Sequence, residues 1–279
     1  LCMSLDYIAG KMVVVRSIER HLHLISVSPS GHPLKDIDLK DVNGKDVNGE
    51  ITFAAMVPMQ VYNTLQVPEE RERLTHIRHL IIGGGAIDAS LEKELQALPG
   101  NIAIWSTYGM TETLSHIALR RINGAEASEW YQPFDSVKIS QTEEGCLVID
   151  APLVCAETLV TNDIVEIESY IYNKVEKLRF RIKGRKDNVV CSGGIKIQIE
   201  EVEEFLKPHL EKPFMLAKKK DEKFGEIAVL LSENKEIKTV EATVRRLLSD
   251  YKYWIPREFR YVEHLPLTET GKPKRSILL

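Results

Sequence analysis

The sequence predicts an α/β protein: a large domain with parallel-type sheets and flanking helices plus a small antiparallel sheet, followed by a small α+β C-terminal domain. Three patterns predict it. Short apolar runs alternate with helically spaced leucines between residues 80 and 105, strand patterns replace them after Gly145, and helix, strand and helix succeed one another after Gly184.

At 279 residues the chain exceeds the usual size of one domain, which calls for two cores. Hydrophobic residues at 43% and charged residues at 28% lie near the average of folded soluble proteins and argue against disorder or a fibrous architecture. A net charge of -4 lacks the basic excess of a nucleic-acid binder, although local phosphate pockets remain compatible with it. The four cysteines, Cys2, Cys146, Cys155 and Cys191, form no C-x-x-C pair, so they suggest neither a zinc site nor a disulfide framework. The apolar stretch Met12 to Val15 sits between Lys11 and Arg16, far too short for a membrane span, and no secretory signal is visible. A cytoplasmic protein with no membrane span and no nucleic-acid partner is expected. The chain opens at Leu1, directly in an apolar segment, and an upstream segment is expected as well.

Residues 31 to 50 have loop composition, with the pentapeptide Lys40 to Gly44 repeated at Lys45 to Gly49; the two Asn-Gly pairs mark a surface insertion. Leu80-Ile81-Ile82 then runs into Gly83-Gly84-Gly85, and Leu91, Leu95 and Leu98 follow at helical spacing: strand, glycine turn, helix. Pro99-Gly100 stops that helix, and Ile102 to Trp105 reads as a second buried strand leading to Tyr108-Gly109. Strand alternating with helix implies parallel pairing, whose C-terminal strand ends are where ligands usually sit. From Gly145 the strands are Cys146 to Ile149, Ile164 to Ile167 and the strictly alternating Leu178 to Lys183, a sheet with one wet face. A helix with Ile199, Val202 and Leu206, a strand at Ile227 to Leu231 and a helix with Val240, Val244, Leu247 and Tyr251 complete the chain. The boundary is placed at Gly184 to Asp187, giving domains 1–183 and 184–279. His76 and His79 read as a surface pair on a helix, and Lys218-Lys219-Lys220 as a solvated turn.

The segment Ser106-Thr107-Tyr108-Gly109-Met110-Thr111-Glu112-Thr113 carries the most chemistry. A strand ends in a turn where Gly109 lets backbone pass close to a ligand, and hydroxyls and a carboxylate follow at once. Thr111 can bond phosphate oxygens, Glu112 can hold a divalent cation and Tyr108 offers a flat face, though a capped turn with a core tyrosine would read the same way. Gly83-Gly84-Gly85-Ala86 presents no side chain that would bar a ring from the backbone; alone, such a triplet is simply a tight turn. Asp163, in Thr161-Asn162-Asp163, can accept from two ribose hydroxyls or be a turn aspartate. Arg185 can donate to the same sugar or be a solvated charge, and Lys272 stands in a glycine-hinged basic tail that also reads as an exposed terminus.

In order along the chain, these segments resemble the adenylate-forming superfamily of acyl-CoA synthetases, luciferases and nonribosomal peptide adenylation domains. The family's YGxTE is Tyr108 to Glu112, its TGD is Thr161 to Asp163, its GRxDD is Gly184 to Asn188, and its PxTxxGKxxR is Pro266 to Arg275. Within the superfamily the wording is most similar to o-succinylbenzoate:CoA ligases, through Tyr-Gly-Met-Thr-Glu-Thr followed by Ser115-His116, the Gly-Gly-Gly-Ala turn and Ala55 to Pro58.

The resemblance implies an acid:CoA ligase that uses ATP and Mg2+, with CoA as co-substrate and a small carboxylic acid as substrate. It implies adenine between the turn of Gly83, Gly84, Gly85 and Ala86 and Tyr108, with Thr107 and Gly109 also binding cofactor, ribose on Asp163 and Arg185, phosphates near Thr111 and magnesium on Glu112. Lys272, catalytic beside Thr111 and Glu112, would stabilise charge on the α-phosphate; an ordinary lysine pKa of about 10.4 makes it a fixed cation. The small domain would be mobile about a hinge at Asp187, presenting Gly193 and Gly194 to the pantetheine path. The chain departs from the family pattern at Asn162, at Asn188 and at Tyr7, which stands where an acid-binding histidine is common. The family's Ser/Thr/Gly-rich phosphate loop is expected upstream of Leu1. A carrier-loading adenylation domain and a non-catalytic binding module remain open, and a homo-oligomer is compatible with all three readings.

Overall fold

The computed structural model describes residues 1–35, 37, 51–267 and 273–275. The duplicated pentapeptide and Lys272 lie outside the described residues. The chain forms two compact units, the first made of Leu1–Ser140, Val148–Leu159 and Ile167–Arg181, the second of Gln141–Leu147, Val160–Glu166 and Ile182–Leu279.

In the first unit, α1 (Ile8–Glu19) precedes β1 (Ile51–Met56), α2 (Pro58–Gln66), α3 (Pro68–Thr75), β2 (Ile77–Ile82), α4 (Ala89–Gln96), β3 (Ala103–Gly109), β4 (His116–Arg121) and β5 (Gln132–Pro133). The five strands form one sheet in the order β1-β2-β3-β4-β5. β1, β2 and β3 pair in parallel, and β4 returns antiparallel on β3. Proline opens both α2 and α3, where its missing N–H costs no helical bond. Asp88 caps α4 by accepting from Ser90 N at 2.8 Å. Leu91 and Leu95 then bury against the sheet with Leu98, which lies just past the helix end, and Leu80, Ile82, Ile102 and Ile104 complete the same core. His76 and His79 are not on a helix: His76 follows α3, and His79 lies in β2, where the apolar pattern of Ile77, Leu80 and Ile82 dictates a strand.

A four-stranded sheet of β6 (Lys138–Gln141), β7 (Cys146–Asp150), β8 (Leu159–Tyr172) and β9 (Val175–Arg185) follows, in that order. β8 and β9 extend well beyond the short apolar runs that mark them in the sequence. Their charges are matched across the hairpin, Arg179 with Glu168 and Lys183 with Glu166 at 3.2 Å, so they do not interrupt it. The hairpin closes through Asn173 and Lys174, at φ of 50° and 64°, the pair of left-handed residues that matches strand twist.

The second unit contains β10 (Val189–Ser192), β11 (Ile195–Gln198), α5 (Ile199–Leu206), β12 (Phe214–Asp221), β13 (Gly225–Ser232), α6 (Ile237–Leu247) and β14 (Glu258–Tyr261). Its sheet runs β11-β10-β13-β12, and β14 adds to β13 in parallel. Val202 and Leu206 from α5 and Val240 and Val244 from α6 cover one face. Met215, Ala217, Ile227, Val229 and Leu231 project from the other. Lys218 to Lys220 are strand residues of β12 rather than a turn, because Lys219 is neutralised by Glu258 at 2.6 Å while Met215 to Ala217 are buried. Leu248, not Leu247, completes the buried stripe of α6, and Tyr251 lies beyond the helix. Among the described residues no helix is long and apolar enough to cross a membrane.

One buried ion pair ties α4 to the sheet. Arg120 of β4 donates to both oxygens of Glu92 at 2.7 and 2.6 Å, with only 10% and 20% of the two side chains exposed. Glu92→Ala should therefore destabilise the fold by about 3 kcal/mol in urea unfolding, because it strands a buried guanidinium, while Glu92→Met with Arg120→Met should recover most of that loss.

Candidate functional site

Two turns meet at the C-terminal ends of the parallel strands. Gly83, directly after β2, donates its N–H to Met56 O of β1 at 3.1 Å. A β-carbon at Gly83 would collide with the Thr107 hydroxyl, which itself donates to Ile82 O at 3.3 Å. The glycine turn and the end of β3 are therefore in van der Waals contact, and Gly84, Gly85 and Ala86 remain exposed beside them. Gly84 has φ of +82°, which a side chain would strain.

Gly109 faces the return strand so closely that a β-carbon would strike the Ser115 carbonyl and His116 Cα. Between them the chain makes a single turn over Thr111–Thr113. Thr113, fully buried, organises it: its hydroxyl accepts from Met110 N at 3.1 Å and lies 2.8 Å from Ser115 O. Leu114 takes a left-handed φ of 58° to close the turn. Thr111 and Glu112 are left exposed at its apex. Tyr108 is 7% exposed and packs edge-on against Tyr131 and Phe180, with centroids 5.9 and 5.1 Å away, so it anchors the turn in the core. Among the described residues no cluster of three or more His, Cys, Asp or Glu side chains could hold a metal. Glu112 nevertheless fits magnesium in the manner of nucleotide enzymes, in which one or two carboxylates share the ion with substrate phosphates.

Beside this turn lies a group that sequence reasoning missed. Arg16 of α1 donates from Nη2 to Ser115 Oγ at 2.6 Å and approaches His116 Nδ1 at 3.3 Å. The guanidinium also lies 6.0 Å from the Phe53 ring centroid, and the imidazole 5.5 Å from that of Phe134. Burial lowers the pKa of Arg16, and no carboxylate pairs with it among the described residues. Burial, and then the neighbouring Arg16 charge, push the His116 pKa down to about 4. His116 is accordingly neutral near pH 7, accepting at Nδ1 and carrying its proton on Nε2. Its signals in the sequence are Ser115-His116, read there only as family wording, and a cation on the α1 face that buries Val13 and Ser17.

The second unit brings together the predicted ribose and hinge residues. Arg185 donates to Asp163 Oδ1 at 3.2 Å and to Asp187 Oδ2 at 3.0 Å. Asn162 reaches the same Asp187 oxygen at 3.4 Å, and Thr161 Oγ1 accepts from Asp163 N at 3.1 Å. The Asp163 side chain is only 16% exposed, so its carboxylate is held in one orientation. Gly193 and Gly194 form the exposed β10–β11 turn at φ of 57° and 83°, and Gly193 N donates to Phe224 O at 2.9 Å. On either side of residues 268–272, Leu267 pairs with Pro273, and Lys274 N donates to Pro266 O at 2.9 Å. Arg275 then makes two bonds to Glu203 of α5, at 2.5 and 2.6 Å.

Residues 35–151 match the family model for AMP-binding enzymes. An acyl-CoA synthetase (AMP-forming)/AMP-acid ligase II-like protein from Dyadobacter fermentans shares 29% identity and a TM-score of 0.58, over 98% of this chain and 75% of that one. A D-alanine–D-alanyl carrier protein ligase of Staphylococcus aureus is 28% identical over 62% of this chain and 40% of its own length. The o-succinylbenzoate CoA synthetase of Bacillus subtilis, in complex with its acyl-adenylate intermediate, shares the fold at a TM-score of 0.67 and 21% identity, over 99% of this chain and 59% of that one. The chain spans about two fifths of the length of the curated relatives it matches, 41%, 44% and 40% for three of them. Residues 35–151 thus match the AMP-binding enzyme model, and the chain's motifs and fold are similar to those of adenylate-forming ligases.

Proposed function

We propose that the protein is an ATP-dependent acid:CoA ligase whose acid is o-succinylbenzoate. The observation that carries this reading is the Arg16–Ser115–His116 group beside the Tyr108 to Glu112 turn. A half-buried guanidinium that meets a hydroxyl and a neutral imidazole, but no carboxylate among the described residues, suits an anionic ligand. o-Succinylbenzoate has two carboxylates, so activating one leaves the other for Arg16, and the Phe53 and Phe134 rings match its aromatic body. The Bacillus subtilis enzyme of the same fold, seen with an o-succinylbenzoate adenylate, supports that choice. The carrier protein ligase among the relatives supports a second acceptor, a carrier thiol in place of CoA. Pyrophosphate release with CoA, compared with release with a carrier protein, separates the two.

In the first step a carboxylate oxygen of the acid bonds to the α-phosphorus and pyrophosphate leaves. In the second the CoA sulfur bonds to the acyl carbon, AMP leaves with the bonding pair, and the thiol proton passes to solvent. Thr111 and Glu112, exposed at their turn, are assigned to the phosphates and to magnesium, and the glycine turn with Thr107 to Gly109 to adenine. Asp163, steadied by Arg185, is assigned to the ribose hydroxyls. Lys272 is assigned to the charge that builds on the α-phosphate, Gly193 and Gly194 to the pantetheine, and Asp187 to the hinge.

Three outcomes are expected. Lys272→Ala should abolish acid-dependent pyrophosphate exchange yet spare thioester formation from pre-made acyl-adenylate, and Asp187→Pro should do the reverse; equal loss of both steps in both variants would refute the scheme. Arg16→Leu should raise KM for o-succinylbenzoate roughly 10- to 100-fold with KM for ATP unchanged, the effect of removing a charge-assisted bond, and should leave a monocarboxylic analogue unaffected. Finally, the unfolded chain binds a proton at His116 near pH 6.5 that the folded chain refuses until about pH 4. Stability should thus fall as pH drops through that window, and His116→Gln should flatten the dependence in urea titrations.

A further inference from the structure

Asn188 stands where the family pattern has its second aspartate, and the structure gives the reason. Its side-chain amide donates to Glu200 Oε1, in the first turn of α5. The other oxygen of Glu200 accepts from Gln198 Nε2 at 2.5 Å, and the same amide donates to the Arg185 carbonyl at 3.2 Å. Both amide hydrogens of Gln198 are used, and one carboxylate gathers two donors. The backbone fits this arrangement closely: Gly184 has φ of +153°, and a β-carbon there would run into the Gln198 amide and the Glu200 carboxylate. Asp187 lies between the two attachments, Arg185 O on one side and Asn188 on the other.

We infer that Gln198 and Glu200 are positioning residues that latch the Gly184–Asn188 segment, so that turning the chain about Asp187 requires release of the Arg185 carbonyl from Gln198. Opening the segment breaks both ties, the Gln198 bond to the Arg185 carbonyl and the Asn188 bond to Glu200. An aspartate at 188 would set two carboxylates against each other without a proton between them, whereas asparagine supplies the donor. The assignment rests on the two-step reading for its catalytic consequence, but not for the latch itself.

The test uses the full-length protein and three forms: wild type, Asn188→Asp, and Asn188→Asp combined with Glu200→Gln, in which the glutamine amide can donate to the new carboxylate. Arg185 and Lys186 are both exposed, so trypsin reports on release of the segment. Cleavage after these residues should accelerate roughly tenfold in the single variant, as expected for losing a bond to a charged acceptor, and return to within about twofold of wild type in the double variant. The ratio of adenylation to thioester formation should shift by a similar factor and be restored in parallel. Wild-type cleavage in the single variant, or no recovery in the double, would overturn the latch, and recovery in the double rules out simple misfolding. If wild type activates no acid while cleavage follows the expected order, the latch stands and the functional reading fails.

Discussion

The site depends on how closely two backbones approach at the end of β3. With no side chain at Gly109, the Ser115 carbonyl and His116 Cα lie where a β-carbon would be, and the chain between them must turn back within a few residues. That constraint forces the left-handed Leu114, buries Thr113 as the turn's internal fastener and pushes Thr111 and Glu112 outward. It also sets His116 just after that turn, within reach of Arg16 on α1. One steric condition thus places the exposed Thr111 and Glu112 next to Ser115 and His116, the partners of Arg16.

The two units solve different problems. The first builds a rigid platform, with parallel strands ending at one edge, an aromatic group of Tyr108, Tyr131 and Phe180 beneath the turn, and an internal ion pair joining α4 to β4. The second arranges exposed charge: Arg185 is 51% and Asp187 57% exposed, and their bonds are of the kind that solvent weakens. Rigid apolar packing fixes the position of the turns it supports, whereas exposed ion pairs can exchange partners at little cost.

What could be read from the sequence was local. Tyr108 to Glu112, Gly83 to Ala86 and Gly184 to Asn188 each carry their geometry within a few residues and form turns or strand ends, whereas Thr161 to Asp163 lie within β8. Ser115-His116 stood out as family wording, but their partner was invisible because Arg16 lies 100 positions from His116. β12 was hidden because three consecutive lysines look solvated until Glu258 and Glu226 stand opposite them. Asn188 read as a mild departure because its partner Glu200 lies on the next helix, outside the motif. Periodicity located the helices, but it could not say that Leu248 rather than Leu247 would face inward once α6 ended.

Arg185 shares one guanidinium between two acids, Asp163 and Asp187. Under the proposed assignment, a sugar that engaged Asp163 would compete for the same cation that steadies Asp187, so occupancy at one carboxylate and conformation at the other would be thermodynamically linked. Such linkage is reciprocal: whatever free energy the nucleoside spends in loosening Asp187, a bend at Asp187 returns in altered nucleoside affinity. Sequential chemistry could then draw its order from a single shared charge.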